Sequence, residues 1–246
     1  MTGAGGTTAA EPADRLTQAV LDFRPSRHGF HFANRFPPGP TLRLGPLDPR
    51  IVGIGDASAG LCGGMALTVR DLFEAGIDPP PDREPPANGS RRFRALVRRQ
   101  VQSLDWMRVP LRFYDAGAFR PDPQTWWSRL LRRRTPREVA LDDAWPAIRA
   151  AVDRGTLATV GLVRRAEANP LRLTLNHQVL AWGYRVQPGL VALRLYDPNW
   201  PDRDDVEAQI VLGPDSRPVR LLSTTGEPLV GLLSLPCPPG DVRAWR

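Results

Sequence analysis

The apolar positions change rhythm along the chain. Over residues 53–76, GIGDASAGLCGGMALTVRDLFEAG, a Gly/Ser loop feeds an apolar run from Leu61 through Met65, Leu67, Val69, Leu72 and Phe73, which stops at Gly76. Apolar residues fall on nearly every side of that run, which predicts a buried helix with Cys62 in its first turn. Arg91–Leu104 is one-sided instead, with Phe93, Leu96, Val97, Val101 and Leu104 at helical spacing. Pro123–Arg133 and Leu141–Arg154 are further helix candidates, the second closed by Gly155, and EPADRLTQAVLD at 11–22 predicts a short helix. Beyond Gly155 the runs shorten. TLATVGLVR (156–164), NHQVLAWGYRV (176–186), LVALRLYDP (190–198), EAQIVL (207–212), PVRLLS (218–223) and LVGLLSL (229–235) predict strands.

Helices first and then strands joined by short turns is an α+β pattern with a mostly antiparallel sheet. The division it suggests is a tail and short helix over 1–22, then one domain over 23–246. The helical part of that domain covers about 56–155 and the sheet part about 156–236. Residues 24–50, dense in Pro and Gly and carrying the run HGFHFANRF, predict irregular structure, as does the proline-rich 78–88. No internal repeat is visible.

Composition narrows the class. Of 246 residues 41% are hydrophobic and 24% charged, an ordinary globular balance. No apolar run is long enough for a membrane span, so no membrane partner is expected. The opening MTGAGGTTAAEPADR lacks a basic start and an apolar stretch, and the two cysteines cannot build a disulfide framework. A cytoplasmic chain with free thiols is therefore expected. The formal charge is +7, and every basic residue is arginine. Residues 83–137 hold fourteen arginines against four acids, a net of +10 that leaves −3 elsewhere. No nucleic-acid motif accompanies this segment, and WWSRLLRRR at 126–134 fits a solvated helix face, so a nucleic-acid partner is not expected. His28 and His31 lack the Cys or carboxylate spacing of a metal site, and neither metal nor cofactor is implied.

Three side chains suit thiol chemistry. Cys62 at a helix N-terminus has dipole and free N–H groups that stabilise a thiolate and can bind an oxyanion. His177 opens one strand and Asp197 closes the next, so a single hairpin can bring them together, with the imidazole facing Cys62. Along LVALRLYDP, Val191, Leu193, Leu195 and Asp197 share one face, which favours Asp197 as the partner of His177 over Asn199, which lies beyond Pro198. Each signal has a plain structural alternative: a small core cysteine, a satisfied strand histidine, and a turn at Asp197-Pro198-Asn199. Cys237, in PCPPG, reads as a spare thiol.

The segments GFHFANRF, GLCGGMALTVRDLF, RRQVQSL, NHQVLAWGY and LYDPNWPD together resemble a bacterial and fungal group of papain-like cysteine peptidase-like proteins, over roughly residues 28–212. The YDP ending is also similar to exporter-linked peptidases that trim double-glycine leaders. The resemblance implies a papain-like fold in which a central buried helix packs on the sheet. It also implies that Cys62 attacks an acyl carbon, His177 protonates the leaving group and Asp197 orients the imidazole, with Asn199 as the alternative orienter. The substrate would be a peptide or an acyl or amide small molecule. Asp56, Leu61 and Asn176 are the candidate oxyanion or substrate-contacting positions. Asp56 is a departure, because it stands where papain relatives carry an oxyanion-hole glutamine, and a carboxylate there would repel an oxyanion. A catalytically weak binding or interaction module is the alternative that this departure leaves open.

Overall fold

The computed structural model of the chain describes residues 16–37, 60–103, 134–164 and 177–246. The tail at 1–10, the helix expected over 123–133, and the positions Asp56 and Asn176 lie outside these residues. Within them the chain is α+β, with helices packed on an antiparallel sheet.

The sheet has seven strands: β1 (Leu16–Ala19), β2 (Ala158–Val163), β3 (His177–Gln187), β4 (Leu190–Tyr196), β5 (Glu207–Leu212), β6 (Pro218–Ser223) and β7 (Gly231–Ser234). Its order is β6-β5-β4-β3-β2-β7, every pairing is antiparallel, and β1 pairs with β3. The six strands expected after Gly155 are all present: β2 to β6 follow one another as a meander, and β7 returns to the other edge of β2.

β1 corrects the expectation of a helix over 11–22. Strand β3 is longer than its neighbour β2: β2 pairs with residues up to Ala181, and β1 fills the vacant edge from Gly183 to Val186. A strand edge left open by one partner is a strong template for a local segment, and it overrides the weak helix propensity of LTQA. Gly183 admits this neighbour, since a Cβ there would lie 2.9 Å from the Gln18 carbonyl oxygen. The bulge at Trp182 shifts the β3–β4 register between Ala181 and Gly183.

The helices are α1 (Pro25–His28), α2 (Cys62–Glu74), α3 (Arg91–Ser103), α4 (Pro136–Val139) and α5 (Trp145–Asp153), with a π-helical turn at Ala140–Ala144 joining the last two. This run begins earlier than the expected Leu141. Thr135 and Glu138 form a reciprocal capping box, with Pro136 at the first helical position. Pro146 has no N–H for the preceding turn, which accounts for the local widening to π geometry. Helix α4 touches both β6 and β7, so the two ends of the sheet curl toward one helix.

Helix α2 lies between α3 and β3 and is buried from Gly63 to Leu72. Two glycines make the close approach possible. A Cβ on Gly64 would overlap the Leu96 carbonyl oxygen on α3, and one on Gly63 would lie 2.6 Å from Gln178 Oε1 on β3. Behind α2, the buried pair Arg70 and Arg99 shares Asp71, with contacts of 2.9 and 2.8 Å, and both arginines hold the Pro238 carbonyl at 3.0 and 2.7 Å. The C-terminal segment is thereby fastened across α2 and α3. No helix among the described residues is long and apolar enough to cross a membrane.

Candidate active site

Cys62 is the first residue of α2 and is half-buried at the helix mouth. His177 is the first residue of β3, where it pairs with Leu162 of β2. The β3–β4 register pairs Leu180 with Tyr196, so one further step sets Asp197 opposite Val179. His177 lies two residues from Val179 on the same face, a diagonal cross-strand neighbour of Asp197. The two side chains meet there: His177 Nε2 is 2.6 Å from Asp197 Oδ1, and both residues are almost wholly enclosed. With Nε2 taken by the carboxylate, Nδ1 is the ring nitrogen left for Cys62. The imidazole interacts with that thiol through both charge and a hydrogen bond.

Asn199 does not orient the histidine. Its backbone N–H donates to Asp197 Oδ1 at 2.8 Å, and its side-chain oxygen accepts from Asn34 Nδ2 at 3.2 Å. The other carboxylate oxygen, Asp197 Oδ2, faces Arg164 at 3.9 Å, and Arg164 is held in turn by Glu227 at 2.5 Å. Leu61 is buried as the N-cap residue of α2.

The charges of the three groups reinforce one another. Burial pushes the Cys62 thiol up, but the His177 charge and hydrogen bond, with the N–H groups of Gln178 and Gly63, outweigh it and hold the thiol below its ordinary value. Burial pulls His177 down, yet the Asp197 carboxylate and the Cys62 sulfur raise it to about 10. Burial likewise opposes ionisation of Asp197, and His177, the Asn199 N–H and Arg164 hold it below the usual carboxylate range. A thiolate beside an imidazolium is a nucleophile paired with a proton donor.

Three contributors escaped the sequence reading as individuals: Asn34, Gln178 and Arg164. Asn34 accepts the Leu61 N–H through Oδ1 at 2.6 Å, and its own N–H donates to the Pro198 carbonyl at 2.8 Å. It thus ties the residue before Cys62 to the residues after Asp197. A signal for it exists in the sequence. Phe30, Phe32 and Phe36 alternate through GFHFANRF and bury into the core, and Asn34 occupies the same parity. A polar residue on an apolar parity is the informative exception. Gln178 follows His177 and presses its Oε1 over Gly63, with no hydrogen-bond partner for that oxygen among the described residues.

His28 and His31 sit elsewhere. His28 Nδ1 accepts the Arg24 N–H at 3.1 Å, and its ring stacks on Phe23. His31 Nδ1 contacts Asp202 at 2.5 Å. Cys237 lies by the Arg99 guanidinium, away from His177. No protein-family model, no curated protein and no solved structure matches the chain.

Proposed function

We propose that this chain is a papain-like thiol enzyme that acts on a peptide, or on an acyl or amide small molecule, through a Cys62 thioester. The observation that carries the reading is the 2.6 Å contact between His177 Nε2 and Asp197 Oδ1, with the opposite side of the imidazole turned to a thiol in the first turn of a buried helix. A helix supplying the nucleophile and a sheet supplying the base and its orienter is also the division that a papain-like fold makes.

The Cys62 sulfur attacks the acyl carbon, and the carbonyl π pair moves onto oxygen. When the tetrahedral species collapses, the bond to the leaving group breaks and the His177 imidazolium gives that group its proton. Neutral His177 then takes a proton from the second nucleophile as it attacks the thioester. Water gives hydrolysis, as in a peptidase or amidohydrolase, and an amine gives acyl transfer. Asp197 keeps the imidazole in one tautomer and stabilises its charged form.

Alkylation by iodoacetamide, followed by mass spectrometry on each cysteine, tests this. Cys62 should react faster than Cys237, and its rate should reach a plateau below pH 7. In His177→Ala the midpoint should move toward an ordinary thiol near pH ~8.5. Equal rates at the two cysteines would refute the reading.

A further inference from the structure

A thioester pathway needs donors aimed at the oxygen that becomes negative when the sulfur attacks. The mouth of α2 is where they must come from, and its N–H groups can be accounted for one by one. The Leu61 N–H is committed to Asn34 Oδ1 at 2.6 Å, and the Gly64 N–H to Gln100 Oε1 at 2.8 Å. The Gly63 and Gln178 N–H groups favour the ionised Cys62 sulfur, helping to hold the thiol below its ordinary value. The Met65 N–H makes the first helical bond, to the Leu61 carbonyl at 2.8 Å. The Cys62 N–H has no partner among the described residues. This backbone donor, on the nucleophile itself, is therefore open to a substrate oxygen.

The second donor is fixed by Asn34. A backbone N–H can only donate, so the contact with Leu61 settles which atom of the Asn34 amide is oxygen, and Nδ2 must lie on the other side. Nδ2 carries two hydrogens. One goes to Asn199 Oδ1 at 3.2 Å, and no acceptor among the described residues takes the other. Gly60, at φ +88°, wraps the chain around this amide so tightly that a Cβ would lie 2.5 Å from Nδ2. Asn34 and Cys62 are both half-buried, whereas His177, Gln178 and Asp197 are enclosed, so these two residues are the least enclosed of the group. The Trp200 Nε1–H also lacks a partner among the described residues, but that atom is itself enclosed.

We propose that Asn34 is a catalytic residue: its free Nδ2–H and the Cys62 backbone N–H together bind the oxyanion that forms when the Cys62 sulfur attacks an acyl carbon. This rests on the thiol-enzyme reading above. In the step concerned, the sulfur–carbon bond forms, the carbonyl π pair moves onto oxygen, and both donors bond that oxygen. The pair then returns and expels the leaving group.

Two probes of the same sulfur separate this role from mere positioning. Iodoacetamide alkylation displaces iodide and develops no oxyanion. Acylation by p-nitrophenyl acetate passes through a tetrahedral oxyanion and releases p-nitrophenolate. Both need the thiolate, so the ratio of their rate constants cancels the thiolate fraction. The variants are Asn34→Ala and Asn34→Asp, each on a Cys237→Ser background. Asn34→Asp keeps the acceptor for Leu61, and Asn199 can turn its amide to face the new oxygen. The acylation-to-alkylation ratio should fall in both variants by at least about tenfold, toward the ~10²-fold loss typical of one oxyanion donor. An unchanged ratio, whether both rates hold or both fall together, overturns the proposal and leaves Asn34 a structural clasp. Should Asn34→Ala fail to fold, Asn34→Leu, close to asparagine in shape but without donor or charge, takes its place, because the carboxylate of Asn34→Asp would by itself repel an oxyanion. Failure of the thiol-enzyme reading itself looks different, because the parent protein would then alkylate no faster at Cys62 than a free thiol.

Discussion

At the scale of the residue, the site depends on which of two neighbours carries the charge beside His177. Asp197 touches Nε2 at 2.6 Å, while the Asn199 side chain turns to Asn34 and only its backbone N–H supports the carboxylate. Asp197→Asn keeps the shape but removes the anion that raises His177, so the midpoint of Cys62 alkylation should rise by about one to two pH units. Asn199→Ala keeps the backbone N–H and should leave that midpoint nearly in place. A larger shift in the Asn199 variant would reverse the assignment. For the proposed thiol chemistry, the signs also predict a pH profile for hydrolysis of an amide or ester. Activity rises as Cys62 loses its proton, below the ordinary thiol value, and falls as His177 loses its own toward pH about 10, because the leaving group then finds no donor. Initial rates across pH 5 to 11 would check both limbs, and a profile that keeps climbing past the upper limb would exclude His177 as the acid. The residues of this group were legible because strand alternation placed Asp197 on the core face and a glycine loop placed Cys62 at a helix start. Asn34 was not legible in its role, since it lies far from Cys62 and Asp197 along the chain and only the folded chain brings the three segments together.

At the scale of the element, packing distance governs α2. The Gly63-Gly64 pair is costly in an isolated helix, by about 1 kcal/mol for each glycine. It stands there because α3 and β3 leave no room for a Cβ. Gly64→Ala should therefore destabilise the protein by about 1–3 kcal/mol through overpacking, despite the gain in helix propensity. The obstruction is the Leu96 carbonyl, a backbone atom that cannot rotate aside. Urea unfolding would measure the change, and a stabilised variant would show that α2 and α3 can separate freely. The same pair shows what the sequence left unread about α2: a full circle of apolar residues announces burial, but only the glycines hint at the closeness of its contacts with α3 and β3. Strands β2 to β7 were legible from short apolar runs between turns. Strand β1 was not, because LTQA becomes a strand only through the vacant stretch of β3 beside it. The start of α4 was available in the Thr135-Pro136-x-Glu138 capping signature, which the apolar period, read from Leu141, passed over.

At the scale of the whole molecule, three parts of the chain converge on one thiol: the N-terminal aromatic segment through Asn34, the helical part through Cys62, and the sheet through His177 and Asp197. The excess of arginine does not converge in that way. Much of the segment from 83 to 137 lies outside the described residues, and the arginines that can be followed are largely committed within the fold. Arg99 is buried on Asp71, Arg83 holds Asp202 at 2.7 Å, Arg92 holds Asp82 at 2.8 Å and Arg134 holds Asp143 at 2.7 Å. Outside the segment, Arg203 and Arg243 are paired with Asp205 and Asp241. A polyanion approaching this surface would have to displace carboxylates from several of these pairs. The exposed pairs are individually weak, so displacement is feasible, but each one offsets part of the gain from a new phosphate contact. The formal charge of +7 should consequently give only loose, sequence-independent attraction. We expect fluorescence anisotropy with a random-sequence DNA duplex to show weak binding at low salt. That binding should be lost by about 200 mM salt, since counterion release is then its main driving force. Binding that stays tight at that ionic strength would mean that the arginines form a recognition surface of their own, and would move nucleic acid from an incidental contact to a partner.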